Sequence, residues 1–328
     1  MHPKPVRVAI AVMANGPSMV SVGLMDLLRK SSHWAVAQSG GKARPLHVEL
    51  VGATRTVKGA GGFKVPCDAT FAQGRRYDLV VVTSIDADEV SGLTRNADAA
   101  RWVKTMYRAG ADVISVCIGA FVLAEAGLLN GRKATTHWAF QDALASRFPK
   151  VRIEPQAVIV DEGRICTAGG ATSFINLALY WVERLLGKDT ATAASKMFLI
   201  DVNKAPQGAY AIFSTQKIHG DDEILQAQAM MEGEGARTDS VAQIARKVAM
   251  SPRTFVRRFK QATGNTPREY AQRARVEVAK RALESSRQPL SSVAQRVGYS
   301  DVVAFRKIFA RFTGLNPADY RRRYSNLA

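Results

Sequence analysis

The sequence predicts two domains of different class: an α/β domain with a doubly wound parallel sheet, then an all-α domain of two helix-turn-helix units. Three observations carry this. Over residues 1–187, short segments rich in β-branched residues alternate with helical stretches, the pattern of strands joined by crossover helices. Further on, one motif occurs twice at a spacing of fifty positions, and a fixed period marks two copies of one structural unit. Charge is also divided unevenly. From Arg237 onward, 20 Lys and Arg stand against 6 Asp and Glu, so +14 of the net +18 lies there. A chain of 328 residues is long enough for two domains.

In the front domain, residues 6–13, 46–53, 79–83 and 113–116 read as strands, and 18–30 and 97–109 as helices. Gly59-Ala60-Gly61-Gly62 lacks the Lys-Ser/Thr of a phosphate loop and reads as a turn. The longest apolar run, 113–129, contains Glu125 and reads as strand plus helix, so no membrane span is expected. Within it, Val116-Cys117-Ile118-Gly119-Ala120 places a cysteine where a strand ends and a helix starts, the layout of a nucleophile elbow. The helix dipole is expected to lower the pKa of the thiol, and Gly119 to allow close packing at the turn. Ligands of such folds bind beyond the carboxyl ends of the strands. The candidate ligand-binding residues are therefore Asn15 and Gly16 after the first strand, Cys117 and Ile118 at the elbow, and His137 at a later strand–helix junction.

Cys67, Cys117 and Cys166 are odd in number and widely spaced, and no secretory signal is evident; a reducing, cytoplasmic setting is expected. The five histidines show no metal-ligand spacing, and neither metal nor cofactor is expected. Residues 200–220, with Lys204-Ala205-Pro206-Gln207-Gly208, read as a linker between domains at 1–199 and 221–328.

The first repeat opens with Ser240 as N-cap and Gln243 three residues on, a capping box. Val241, Ile244, Ala245 and Val248 then form one apolar face. Ser251 reads as the next N-cap and Pro252 as the first helical residue. Phe255 and Phe259 point inward together, which leaves Arg253, Thr254, Arg257, Arg258 and Lys260 outward. Gly264 ends that helix. Thr266-Pro267-Arg268-Glu269 opens a long helix predicted to end near Ser285. The second copy repeats the plan, with Val293, Ala294 and Val297, the turn Gly298-Tyr299, Ser300 as N-cap, Phe305, Phe309, Gly314, Pro317 and Tyr320. Tandem basic helix-turn-helix units suit DNA, and the charge asymmetry fits a phosphate partner better than a solvated face.

Residues 221–328, through Gly298-Tyr299-Ser300-Asp301, Phe305, Phe309, Gly314, Pro317, Tyr320 and Arg321, resemble the AraC/XylS-type regulators. The resemblance implies that one helix of each unit enters a major groove. By position it makes Arg253, Thr254, Val256 and Arg257, with Val303, Arg306 and Lys307, the candidate DNA-binding residues. The valines could read only a thymine methyl.

The front domain resembles the DJ-1/PfpI branch of the class I glutamine amidotransferase superfamily, through residues 116–129, Ala134-Thr135-Thr136-His137-Trp138 and 167–173. That implies a flavodoxin-like fold. The two domains together resemble GlxA-like regulators, among them regulators of arginine, carnitine and glycine betaine metabolism. A relative of enzymes need not be one: Ile118 stands where relatives carry histidine or threonine, Asn15-Gly16-Pro17-Ser18 lacks the acidic residue of isocyanide hydratases, and Asn176 stands for aspartate. The expectation is a transcription regulator that is not an enzyme, with promoter DNA, RNA polymerase and a small nitrogenous effector as partners, acting as a homodimer. The rivals are a cysteine-dependent hydrolase or hydratase joined to a DNA-binding domain, and a Cys117 redox sensor.

Overall fold

The front unit is built on strands β1 (Val6–Ala11), β2 (Leu46–Gly52), β3 (Thr56–Lys58), β4 (Lys64–Pro66), β5 (Ala69–Thr70), β6 (Leu79–Val82), β7 (Asp112–Val116), β8 (Lys133–Ala134), β9 (Arg152–Ile153), β10 (Ile159–Asp161) and β11 (Ile165–Ala168). This computed structural model describes residues 3–170, 172–201, 205–213, 215–217, 219–232 and 240–325. Seven strands form one sheet in the order β10-β11-β7-β6-β1-β2-β5. All its pairings are parallel except β10 with β11, which is antiparallel. The expected parallel sheet therefore carries one reversed edge strand. Every residue of β6 is buried, as are Val8, Ala9, Ile10 and Ala11 of β1. Burial on both faces is the mark of a sheet covered by helices on each side.

The helices are α1 (Ser18–Gln38), α2 (Ala97–Arg108), α3 (Ala120–Glu125), α4 (Gln141–Arg147), α5 (Ser173–Leu186) and α6 (Lys188–Met197). The first of these runs eight residues beyond its predicted end at residue 30. Ser31 and Ser32 do not break it, because the Ser31 hydroxyl donates back to Leu27 O at 2.7 Å and Ser32 Oγ accepts from Leu46 N at 2.8 Å. The glycine run at 59–62 is a turn between β3 and β4, as expected.

The chain divides into units Met1–Gln207 and Gly208–Ala328. A short helix, α7 (Gln207–Tyr210), spans the division. The back unit continues with α8 (Asp222–Glu232), α9 (Val241–Lys247), α10 (Pro252–Thr263), α11 (Pro267–Ser285), α12 (Leu290–Arg296), α13 (Val302–Thr313) and α14 (Pro317–Tyr324). Residues 202–204, 214 and 218 of the expected linker lie outside the described residues, as does Arg237.

The repeat holds at atomic level. Phe255 meets Phe259 with ring centroids 5.4 Å apart, and Phe305 meets Phe309 at 5.7 Å. Phe259 meets Tyr270 edge-on at 5.2 Å, and Phe309 meets Tyr320 at 5.3 Å. All four phenylalanines are fully buried, each contributing about 2–3 kcal/mol. Thr263 and Thr313 each donate a hydroxyl to the carbonyl of the phenylalanine four residues back, at 2.8 Å. Gly264 at φ 73° and Gly314 at φ 72° close the two helices in the left-handed region. The buried tyrosine hydroxyls also find equivalent partners: Tyr270 donates to Glu232, and Tyr320 donates to Glu284 at 2.6 Å.

Candidate functional site

Helix α10 follows α9 through a short turn, which makes the pair a helix-turn-helix. Its start is fixed by Ser251, whose Oγ accepts from Thr254 N at 3.2 Å, with Pro252 as first helical residue. The buried Phe255 and Phe259 set the rotation of the helix about its axis, so Arg253, Val256, Arg257 and Lys260 are exposed. Thr254 is half-buried, and its Oγ1 accepts from the Ser251 hydroxyl at 3.0 Å. Arg258 does not face outward as expected. It is half-buried and ion-paired to Asp221 at 2.7 Å and Glu223 at 2.9 Å. That pairing anchors α10 to the start of α8, holds the Arg258 guanidinium more firmly charged, and keeps the Asp221 carboxyl below its ordinary range although burial pushes it up.

In the second copy, α13 begins one residue later than expected. Asp301 rather than Ser300 is the N-cap, and its carboxylate accepts from Val303 N at 2.7 Å. Val303, Arg306 and Lys307 are exposed. At these predicted positions Arg253, Arg257, Arg306 and Lys307 have no hydrogen-bonding or ion-pair partner among the described residues. The long helix α11 has the predicted end at Ser285. Thr266 caps it, its Oγ1 accepting from Glu269 N at 3.3 Å, and the Glu269 carboxylate turns to Arg273 at 3.6 Å. Helix α11 packs on α8, α10, α12, α13 and α14, so one rod bears both α10 and α13.

In the front unit, β7 ends at Val116 and Cys117 opens a tight turn, Cys117–Gly119, that feeds α3. Cys117 has φ 56°, a strained value for a side-chain-bearing residue and the signature of an elbow. Gly119 must lack a side chain: a Cβ there would lie 2.5 Å from Thr83 O. Thr136 Oγ1 donates to Cys117 O at 2.9 Å and pins the turn. The expected lowering of the thiol pKa is not found. Cys117 is buried, and desolvation pushes its pKa up further than the Ser84 hydroxyl and the Ile118 N–H pull it down. Burial outweighs the dipole here because the thiol is turned into the protein.

Asn15 and Gly16 lie at the same end of the sheet. A Cβ on Gly16 would meet Ser84 O at 2.3 Å, so glycine lets this loop close on the strand end beside the elbow. Asn15 has φ 56°, and its N–H donates to Lys58 O at 2.8 Å. Ile118 is buried. His137 caps the turn that follows it, Nδ1 accepting from Ala139 N at 3.2 Å, and its ring lies 5.0 Å from Trp138. Burial lowers its pKa, and a neutral ring that accepts at Nδ1 carries its proton on Nε2. Gly16, Cys117 and Ile118 thus lie at one end of the sheet, while His137 serves its own turn, next in sequence to the Thr136 that clamps Cys117.

Two supporting groups had no sequence signal. Glu89 is 1% exposed. Its carboxylate accepts from Thr94 Oγ1 and Arg95 N at 2.7 Å, Asn96 Nδ2 at 2.9 Å, Asn96 N at 3.2 Å and Thr94 N at 3.3 Å. Asn96 in turn brackets Ala14, accepting from its N–H at 2.9 Å and donating to its carbonyl at 3.2 Å. The acid therefore fixes the loop that carries Asn15 and Gly16. Gln207, expected in the linker, is buried in the front unit. Its Nε2 donates to Thr135 Oγ1 at 2.8 Å and Ala157 O at 2.7 Å, and a Cβ on Gly169 would overlap it.

Comparison with known proteins agrees with both halves. A family model described as the DJ-1/PfpI family matches residues 13–184, and one described as a helix-turn-helix domain matches residues 244–323. The chain is 27% identical over 285 residues to the HTH-type transcriptional regulator GlxA of Rhizobium meliloti, covering 85% of this chain and 86% of that protein. It is 25% identical over 269 residues to the regulator GbdR of Pseudomonas aeruginosa, covering 82% and 72%. It is also 31% identical over 135 residues to an isonitrile hydratase of Pseudomonas putida, covering 41% of this chain and 57% of the enzyme. With its family model spanning more than half of the sequence, this chain belongs to the DJ-1/PfpI family, and it joins that domain to an AraC-type helix-turn-helix domain.

Proposed function

We infer that the protein is a DNA-binding transcription regulator. One observation carries the reading: two copies of a helix-turn-helix each turn exposed cations, unpartnered among the described residues, away from a buried phenylalanine pair. Arg253, Thr254, Val256 and Arg257 in α10, and Val303, Arg306 and Lys307 in α13, are the residues we place against DNA. Four cations brought onto a duplex release condensed counterions with a log–log salt slope of about −0.9 each. The full chain is expected to lose affinity with a slope near −4 or steeper, about a hundredfold or more between 50 and 200 mM salt. A slope near zero would remove DNA as the partner.

The front unit is the sensor in this reading. A small effector, nitrogenous like those expected from the resemblance, occupies the strand end formed by Asn15, Gly16, Cys117 and Ile118, with His137 alongside. Thr136 holds the Cys117 carbonyl, and its neighbour Thr135 accepts from Gln207, the last residue of the front unit. That chain of contacts gives a bound molecule a route to the junction, so a ligand that favours one arrangement shifts the population of regulators. The protein works as a cytosolic homodimer, engaging RNA polymerase at its promoters. Cys117→Trp is expected to abolish the effector response and leave DNA binding intact; full inducibility in that variant would place the effector elsewhere.

The likeness to an isonitrile hydratase favours a second reading, catalysis by Cys117. The elbow geometry suits a nucleophile, but the buried thiol is held protonated and Ile118 supplies no acid or base. We take the domain as non-enzymatic. Hydration of an isocyanide by wild type, lost in Cys117→Ser, would reverse that judgement.

A further inference from the structure

The slot that holds the Gln207 side chain suits one kind of chemical group. Gln207 is 4% exposed, although it stands where the sequence reads as a linker. Its Nε2 uses both hydrogens, donating to Thr135 Oγ1 at 2.8 Å and to Ala157 O at 2.7 Å. Thr135 gives its own hydroxyl proton to Ala157 O at 3.0 Å, so it turns a lone pair towards the slot. Thr167 Oγ1 holds Thr135 in place by accepting from its N–H at 2.8 Å. The slot therefore meets its occupant with two acceptors. Gly169 lies against the amide. A Cβ there would be 2.0 Å from Nε2 and 2.3 Å from both Cδ and Oε1, so the flat group covers a bare Cα. Gly169 is not among the residues of positive φ; its backbone does not call for glycine, and the amide does. The Gln207 Oε1 is buried and has no hydrogen-bond partner among the described residues.

We propose that this slot is a binding site for a primary carboxamide, that the Gln207 side chain is its internal ligand, and that a free compound ending in a primary carboxamide competes for it. A carboxylate would set its oxygens against two acceptors, and a disubstituted amide has no hydrogen to donate, so both are rejected. A tetrahedral ammonium lacks the flat shape that Gly169 admits. The internal ligand has the advantage of a short tether. It also buries a carbonyl oxygen without a partner, which is unfavourable, and a free ligand is not bound to that arrangement by the backbone at residue 207. Displacing the side chain removes two hydrogen bonds and leaves the one from Gln207 N to Gln156 O at 3.1 Å. Gln207 is the last residue of the front unit and the first of α7, so its release loosens the segment that leads to the back unit. That regulatory consequence rests on the sensor reading; the binding site does not.

The test uses the full chain. Gln207→Ala vacates the space of Cγ and the amide group, which together have the shape of acetamide. Acetamide is expected to bind this variant saturably and to raise the melting temperature of the front unit, which holds all four tryptophans and is read by their fluorescence. Acetate and N,N-dimethylacetamide at equal concentration are expected to leave it unchanged. Wild type is expected to bind acetamide at least about tenfold more weakly, because the internal ligand lowers the fraction of open slots. Adding Gly169→Ala to Gln207→Ala puts a methyl group in the slot and is expected to abolish the acetamide shift. Hydrogen exchange gives a reading that does not depend on the Gln207→Ala variant folding. Residues 205–210 should exchange faster in Gly169→Ala and in Gln207→Glu than in wild type, and faster in wild type when acetamide is added. The proposal is overturned if acetamide fails to stabilise folded Gln207→Ala, if acetate serves equally well, if wild type binds as tightly as the variant, or if exchange at residues 205–210 is the same in Gly169→Ala as in wild type. A failure of the sensor reading looks different: acetamide binds Gln207→Ala as expected, while no small molecule alters promoter output.

Discussion

Replacing Glu89 by alanine removes the acceptor of five hydrogen bonds in one step. Two of the donors, Asn96 N and Nδ2, belong to a residue that is 5% exposed and cannot turn to water. Each orphaned buried donor costs about 1–3 kcal/mol. The Thr94 and Arg95 groups lie nearer the surface and recover part of their loss by hydration. The expected destabilisation is about 3–5 kcal/mol, near that of breaking a buried ion pair. For a unit of this size that lowers the melting temperature by roughly 6–20 °C. All four tryptophans, Trp34, Trp102, Trp138 and Trp181, lie in the front unit, so their fluorescence reports its unfolding separately from the back unit. A loss below about 1 kcal/mol would refute the view that Glu89 fixes the loop. The effect also has a pH signature. Burial pushes the carboxyl up, but bonds from Arg95 N–H, Thr94 and Asn96 outweigh it and the net direction is down. A carboxyl held below its unfolded value, about 4.3, stabilises the fold fully above that pH. Its contribution is lost as pH falls through the lower folded value. The stability gap between wild type and Glu89→Gln should therefore be wide near neutrality and narrow in acid.

Arg257→Ala is expected to cost about 1–3 kcal/mol of DNA affinity at one base position, whereas Arg258→Ala should lower back-unit stability through its pairing with Asp221 and leave base preference unchanged; base-by-base competition and melting separate the two, and a reversal would exchange their roles. Native thiols should alkylate slowly near neutral pH, because burial raises Cys117, pushes Cys67 up to about 11 and pushes Cys166 up to about 12; one fast-reacting thiol in the folded protein would revive the redox-sensor reading. Tyr270→Phe and Tyr320→Phe should destabilise the back unit by similar amounts, about 1–2 kcal/mol each, since each removes a hydrogen bond to a glutamate; a large inequality in denaturant melts would show that the two repeats are not energetically equivalent.

What was legible in the sequence was whatever local chemistry decides. Ser240 with Gln243, Ser251 before Pro252, and the end of α11 at Ser285 all depend on residues within one helical turn. The buried repeat was legible because a fixed fifty-residue spacing survives in the text itself. Arg258 was misread because its partners lie 35 and 37 residues upstream, and in its own helix it looks like one more outward cation. Glu89 sits among Asp86 and Asp88 and reads as part of a solvated acidic turn; its burial follows from where Asn96 and Ala14 arrive. Gln207 stood in a segment whose proline and glycines spoke for a linker, yet one amide was enough to bury it. At Cys117 the elbow was legible from the strand–helix junction, but the sense of the pKa shift depends on which way the side chain faces, and no spacing records that.

The single rod α11 also fixes a phase. Its 19 residues span about 28 Å, and both recognition helices take their angle from it. One inserted residue would turn the second unit by about 100° and advance it by about 1.5 Å, which points its cations away from the groove. Inserting seven residues would return the angle to within about 20°. It would still push the second unit about 10.5 Å along the duplex, roughly three base pairs. Lengthening the operator spacer by three base pairs would match that displacement but rotate the second groove through roughly 100°. Neither of these two insertions is matched by the corresponding change of spacer, so in the DNA-binding reading the interval between half-sites is tied to the length of one helix.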